Sequence, residues 1–400
     1  MIKVLTSSTD DLENPERAVL DVLGDIEEQG GLEGESVGVV ACPYDFLSSG
    51  FSAYLAEKLG IPLLGISSTV SSTDKKISAY QFSLWILCSD TLVMRAGVTE
   101  PLIPRARDFS RAEIRRHMDE CFLNLRESLS EGFDGPPALT IPFMPVMRGY
   151  SDGRLSRLLF AEHGEPFFGA FATDTFQTWR KPTPYVVYNG DYYDDRAAFL
   201  TIRGDAAPRF FSGELAKTNL QRRNAVITKS DGNLLLEVND MPLFEYLSFW
   251  GLSDEKPNLV SINTNPIVVY DSRTDGYSPR AVREIRPDGS MLFNEVMPEG
   301  TIILMGKMDA DEIADSASRI MGDIANMPGV RGVLAFSSAS RQLNLGLDET
   351  MEARLAGEAF RGKNIPWLFA YSGGELVPAP KPRDGDLNLH LNHSVIAMAF

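Results

Sequence analysis

The chain has 400 residues, 44% of them apolar and 23% charged, the balance of a folded globular protein rather than a disordered one. Its length predicts two or three domains or subdomains. With 55 acidic residues against 38 basic ones, its net charge of −17 opposes phosphate backbones and anionic leaflets, so neither nucleic acid nor membrane is an expected partner.

In chain order, a strand candidate at 2–7 (IKVLTS) leads into a helix candidate at 14–26. SVGVVACP (36–43) has strand length, FSAYLAEKLG (51–60) carries apolar residues at helical spacing, and IPLLGISST (61–69) and 77–89 read as strands. The order returns in TLVMRAG (91–97), helix 110–129, ALTIPFMP (138–145), helix GRLSRLLFAEHG (153–164), EPFFGAFATD (165–174) and the strand-rich 184–204. It returns again in TIILMGKM (301–308), helix 311–326, VRGVLAFSS (330–338), the helical DETMEARLAGEAFRGK (348–363), NIPWLFAYSGGEL (364–376) and 387–400. Pro62, Pro166 and Pro366 hold matching places at the start of a strand, where proline is tolerated. The expected fold class is α/β (mixed α+β), built of tandem strand-helix-strand-helix-strand-strand units.

Residues 206–300 break the pattern. Alternating runs flank Asp231-Gly232 and Asp288-Gly289, a hairpin signal in which both central turn residues take positive φ, and 242–252 (PLFEYLSFWGL) reads as a short helix between them. The expected organisation is therefore 1–205, two α/β units, and 206–400, a β-hairpin insertion followed by the third unit.

Cys42, Cys88 and Cys121 are too far apart for a disulfide framework or a CxxC metal knuckle. With a polar start (MIKVLTSSTDD) in place of a signal peptide, they point to a reducing cytoplasm. No phosphate loop, nucleophile elbow, HExxH or GxGxxG helix start occurs. His117 and His163 fall on or beside charged helices and are expected in solvent. His390 and His393, three apart in a strand, fall on opposite faces, so no zinc pair is expected. Cys42, before Pro43, is the one hint of a nucleophile; its plainer role is a buried structural thiol.

The stretches IKVLTSSTDDLENPERAV, PLLGISST, PFFGAFATD, VVYNGDYYDDRAAFLTIRG, EVNDMPLFEYL, RPDGSMLFNEVMPEGT and YSGGELVP…LNHSVIAM, in this order over nearly the whole chain, resemble the FIST sensory domain in its N-terminal and C-terminal halves. The resemblance implies a small-ligand-binding sensory domain of bacterial signal transduction, with amino acids as proposed ligands. Some stand-alone members of similar length are reported as haem-bound gas sensors acting on a partner kinase. Two places depart from the family pattern. Ser338 stands where a Cys is usual, with Arg341 kept, and Leu391-Asn392-His393-Ser394 replaces the usual His-Asn-Gln-Thr, with His390 one place earlier.

In stacked α/β units, ligands sit where strands end and loops lead into helices, here from Cys42, Met147 and Ser337. Arg341 is then the candidate to hold a carboxylate, and Glu375 and Asp174 an ammonium group. Asn392 reads an amide or hydroxyl, and Tyr371 lines the pocket; the plainer roles are capping acids, a surface arginine and core packing. Gly373-Gly374 reads as a bend with positive φ, or as a place where the backbone approaches a ligand, the bend being the plainer reading.

Three readings follow. The first is a non-enzymatic sensor of an amino acid or similar small carboxylate, with no cofactor. The second is a haem-bound nitric oxide sensor acting on a separate kinase, which needs a His, Cys or Tyr axial ligand. The third is an enzyme using Cys42. No kinase, cyclase or coiled coil is evident in the chain, so the sensor readings expect a signalling partner in trans.

Overall fold

The computed structural model describes residues 2–104, 110–147, 152–161, 164–174, 183–213, 215–216, 219–221, 223–252, 259–271, 276–383 and 386–400. The first elements are β1 (Ile2–Thr9), α1 (Pro15–Glu28), β2 (Glu35–Cys42), α2 (Tyr44–Ser48), α3 (Phe51–Leu59), β3 (Leu63–Ser67), β4 (Ser71–Thr73) and β5 (Phe82–Ser89). Next come β6 (Val93–Val98), α4 (Arg111–Ser130), β7 (Leu139–Met144), α5 (Asp152–Ala161), β8 (Gly169–Phe171), β9 (Val186–Tyr188), β10 (Asp191–Tyr193), β11 (Ala198–Arg203) and β12 (Arg209–Gly213).

The helix boundaries follow from their caps. Asn14 accepts from Arg17 N at 3.1 Å with Pro15 opening α1, and Ser110 and Glu113 form a capping box on α4. α3 closes on Gly60 at φ 64°. The long strand candidate at 184–204 is broken into β9, β10 and β11, the first break being the turn at Asn189-Gly190, both at positive φ.

A separate body follows: β13 (Ala225–Asp231), β14 (Leu234–Val238), β15 (Met241–Pro242), α6 (Leu243–Ser248), α7 (Leu259–Thr264), β16 (Ile267–Asp271), β17 (Gly276–Arg280), β18 (Val282–Ile285), β19 (Met291–Phe293) and β20 (Ile302–Met305). The chain closes with α8 (Ala310–Ala325), β21 (Val333–Ser338), α9 (Ala339–Leu343), α10 (Met351–Phe360), β22 (Trp367–Ser372), β23 (Gly374–Arg383), β24 (Asp386–Leu391) and β25 (Val395–Ala399).

Three sheets run β1-β5-β2-β3-β9-β10, β24-β23-β8-β7-β11-β6 and β12-β25-β21-β22-β4. Each holds one parallel pair: β2 with β3, β7 with β8, and β21 with β22. In each, a later strand returns antiparallel to the first member, β5 on β2, β11 on β7 and β25 on β21. Strands also pass between the sheets in a cycle. β4, which follows β3 of the first sheet, edges β22 of the third. β23 and β24, which follow β22, join β8 of the second, and β9 and β10, which follow β8, join β3 of the first.

The inner faces of the three sheets share one core that includes Trp85, Phe143, Phe168, Phe336 and Leu368. Phe336 makes ring contacts with Phe143 at 6.1 Å and Phe168 at 5.9 Å, so the second and third sheets meet on it. Helices cover the outer faces: α1 and α3 the first, α4 and α5 the second, α8 and α10 the third. Both faces of these strands are buried, which is why they read as continuous apolar runs.

The middle body is an eight-stranded sheet, β17-β16-β20-β13-β14-β19-β18 with β15 on β14, over its own core of residues such as Ile227, Leu235, Leu247 and Ile303. Two expectations are corrected here. The strand expected at 301–308 forms as β20 but pairs with β13 and β16; β12 takes the place beside β25, with Phe211 opposite Ala397. Adjacency to α8 in sequence does not decide pairing. The first hairpin turns on Gly232-Asn233 between the paired Asp231 and Leu234, one residue later than expected, and Gly232 alone is at positive φ. In the second, Gly289 carries the positive φ while Asp288 does not. Among the described residues no helix is long and apolar enough to cross a membrane.

Candidate functional site

The ends of β3, β8 and β22 converge. Ser67 Oγ donates to Thr173 O at 2.7 Å, and Thr173 N donates back to Ser67 O at 3.0 Å. Ser68 Oγ donates to Tyr371 O at 2.9 Å, and Gly373 N donates to Phe171 O at 2.8 Å. The small residues after each proline-led strand are there because three chain segments meet, leaving no room for bulk. Gly373 and Gly374 illustrate it: neither has positive φ, contrary to the expected bend, and a Cβ would lie 2.6 Å from Ala172 O and 2.7 Å from His390 Nε2 respectively.

Beside this junction lies a cavity of about 790 Å³ between the sheet ends and the middle body. Its walls include Thr173 and Asp174 beyond β8, Ser338 and Ser340 at the β21–α9 turn, and Ser372 ending β22. The middle body adds Arg283 of β18, Asn294 after β19 and Asn263 of α7, and α5 adds Asp152. A second recess of about 600 Å³ lies where β22 begins, lined by Asp74, Arg354 and Trp367. Ligands of α/β folds sit at the carboxyl ends of strands, which favours the first.

Asp174 accepts from Thr183 N at 2.8 Å. Asp152 is buried, and burial raises its carboxyl to about 6 against the pull of Arg283, whose Nη1 stands 3.8 Å away. Next to it Glu295 sits on the start of α5 so closely that a Cβ on Gly153 would fall 2.1 Å from its carboxylate. Burial opposes the Glu295 charge, but the His390 Nδ1 hydrogen bond at 2.7 Å, with His390, Arg280 and Arg157 nearby, outweighs it and leaves the carboxyl at about 2.

Behind the wall, Glu375 is fully buried, with Ser372 Oγ 2.7 Å from one oxygen and Ser394 Oγ 2.7 Å from the other. Burial raises its carboxyl to about 8, the serine hydrogen bonds and Arg341 opposing. His393, in the turn between β24 and β25 at φ 54°, is buried with no hydrogen-bond partner among the described residues on either ring nitrogen, and burial lowers it to about 3.

The family model for the FIST N domain matches residues 36–241, and that for the FIST C domain matches residues 243–378. The chain belongs to the FIST family. FIST domains are sensory domains of signal transduction, which implies a small-molecule ligand and a signalling partner. No curated protein matches the chain.

In this FIST protein the residues named from sequence fall at different depths. Asp174 is on the cavity wall, and Glu375 is one hydrogen bond behind it. Asn392 Oδ1 accepts from the wall residue Asn294 at 3.3 Å. Arg341 is fully buried and holds Glu352 through Nη2 at 2.7 Å and Nε at 3.1 Å, while Ser337 donates to the same carboxylate at 2.9 Å. Tyr371 is buried beside that pair; burial, with the Glu352 charge adding to it and Arg341 opposing, keeps its phenol well above the ordinary range. Cys42 is fully buried in the core under α1 and α3, and burial pushes its thiol up, the opposite of what a nucleophilic thiolate needs. His117 is half-buried on Pro101 O at 2.9 Å rather than in solvent, and His163 lies outside the described residues. Arg283, Asn294 and Asp152 carried no sequence signal: two come from the middle body, and only the fold brings it over the sheet ends.

A haem in this FIST cavity would need an axial donor on its wall. Among the described wall residues there is no His, Cys or Tyr, and His390 Nε2 is turned onto Gly374 behind the wall. The described wall thus offers none of the three donors, His, Cys or Tyr, that the haem reading calls for.

Proposed function

We propose that this FIST protein is a non-enzymatic sensor that binds an amino acid, or a similar small carboxylate, in the cavity of about 790 Å³ and passes its occupancy to a separate signalling protein. The observation that carries this reading is charge of both signs around one cavity. Arg283 and Asp174 both line the cavity, alongside the hydroxyls of Ser338, Ser340 and Ser372. A guanidinium matches a carboxylate in two-point geometry, and a carboxylate accepts from an ammonium group. Arg283 thus takes the role that the sequence suggested for Arg341.

Binding rather than turnover is supported by the partners of the wall hydroxyls. Ser338 and Ser340 bond to each other at 2.7 Å, and neither is a base; Ser372 bonds to Glu375, whose carboxyl burial raises to about 8, so near neutral pH it carries its proton instead of serving as a base. The cavity lies between two bodies, so a ligand that contacts both favours one relative placement over another, and that unequal affinity is what a partner in trans can read.

The test is thermal stabilisation by amino acids, compared with their amine and carboxylate halves. Whole amino acids are expected to raise the melting temperature saturably, and Asp174→Asn and Arg283→Met to weaken binding by about tenfold or more each. No stabilisation by any amino acid or small carboxylate, or full affinity in both variants, would sink the reading.

A further inference from the structure

Ser372, fully buried, is one of the residues that line the cavity, and among the described residues its hydroxyl has two protein neighbours, Glu375 Oε1 at 2.7 Å and Ser337 O at 3.3 Å. A hydroxyl has one proton to give. An ionised carboxylate only accepts, so when Glu375 is charged both Ser372 and Ser394 must donate to it, and Ser372 then offers a ligand only lone pairs. When Glu375 carries its proton on Oε1, the direction reverses. Ser372 accepts that proton's hydrogen bond, and its own hydrogen is released toward Ser337 O or into the cavity.

We propose that Glu375 is the specificity-determining residue of the cavity: its protonation state sets whether Ser372 meets a ligand as donor or acceptor, so a ligand carboxylate placed at Ser372 is bound with proton uptake by Glu375. This rests on the reading of the cavity as the ligand site.

The surroundings suit a group that changes charge. Among the described residues no cation pairs Glu375 directly: Arg341 of α9 is committed to Glu352 of α10 at 2.7 Å. Arg341 favours the ionised form of Glu375, and Glu352 opposes it. His393, one residue before Ser394, is held neutral by burial, and Tyr371, one residue before Ser372, keeps its phenol proton. His390 of β24 faces Gly374 and is bonded to Glu295. Burial itself places the Glu375 titration at about 8, close enough to neutrality for a ligand's charge to move it.

The experiment is an infrared titration of the full chain, following the carbonyl stretch of protonated carboxyl groups, with and without a mixture of the common amino acids. In the free protein a band is expected that titrates with a midpoint near about 8 and is missing in Glu375→Gln. Asp152→Asn removes the separate contribution of Asp152, expected near about 6. Ser372→Ala is expected to move the upper midpoint higher, because the ionised form loses a donor. The amino-acid mixture is expected to raise it by roughly one unit. A Glu375 ionised throughout the neutral range overturns the proposal. Thermal stabilisation by the mixture with an unmoved midpoint overturns the coupling but leaves the proposed function standing. If the mixture neither stabilises the protein nor moves the midpoint, both fall.

Discussion

Ser67 and Thr173, 106 positions apart, exchange two hydrogen bonds, and the Ser67 hydroxyl also accepts from Tyr185 N at 2.8 Å. This ties the first sheet to the second at the point where the third arrives through Ser68 and Tyr371. Removing the hydroxyl takes a partner from a buried carbonyl and from a part-buried amide. Ser67→Ala is therefore expected to cost about 1–3 kcal/mol, measured as a lower urea midpoint with an unchanged m-value. A variant as stable as the parent would mean that other groups take over both partners.

The Arg341–Glu352 pair makes a different prediction, because both side chains are fully buried. Arg341 Nη2 also bonds to Ile313 O at 3.1 Å and Ser316 Oγ at 3.0 Å, tying α9 to α8 and α10. Removing one partner leaves a buried charge uncompensated, at a cost of about 3–5 kcal/mol. Glu352→Leu alone should be severely destabilised, and Arg341→Met with Glu352→Leu should recover most of the loss. Recovery in denaturant unfolding marks the pair as structural; a double variant that folds well yet no longer binds amino acids would place Arg341 in the ligand chemistry after all.

Much of the fold was legible because its strands and helices carry local signals. The runs at 36–43, 138–145 and 330–338 became β2, β7 and β21, and capping residues such as Asn14 and Ser110 mark their helices. What was not legible is pairing over distance. Nothing in TIILMGKM says that it joins the middle body while 209–213 takes the seat beside β25. The site shows the same limit. Asp174 and Glu375 follow the proline-led strands and were visible, whereas Arg283 and Asn294 reach the cavity only because the middle body folds over it.

Gly65 and Gly169 hold the same place, three residues after Pro62 and Pro166, and a packing reason accounts for both. A Cβ on Gly65 would lie 1.9 Å from Val40 O, and one on Gly169 would lie 2.0 Å from Pro142 O. The obstacle is the backbone of the neighbouring strand, which cannot rotate away as a side chain can. Alanine at either position should cost about 3 kcal/mol or more and lower soluble yield. At the matching place Phe369 packs on the helix-covered face, so Phe369→Ala should instead behave as an ordinary cavity variant, losing about 3–5 kcal/mol with its backbone intact. Near-parental stability of Gly65→Ala would show that β2 and β3 can separate without penalty.

Glu375 and His393 pull stability in opposite directions along the pH axis. Glu375 titrates at about 8 in the folded chain against an ordinary value of 4.5, so between those limits the native protein keeps a proton that the unfolded chain has lost. Stability then falls as pH rises through this window, by at most about 1.4 kcal/mol per pH unit from this group. His393 is lowered to about 3 from 6.5, so as pH falls through that range the unfolded chain takes up a proton the native one refuses, and stability falls again. Glu375→Gln should flatten the alkaline limb. His393→Asn, which tolerates the φ of 54°, should flatten the acid limb as far as this residue contributes. Unfolding free energies measured across pH for the parent and the two variants check both signs. An alkaline limb unchanged by Glu375→Gln would mean that Glu375 is already ionised in the native protein, with Ser372 then fixed as an acceptor toward the cavity.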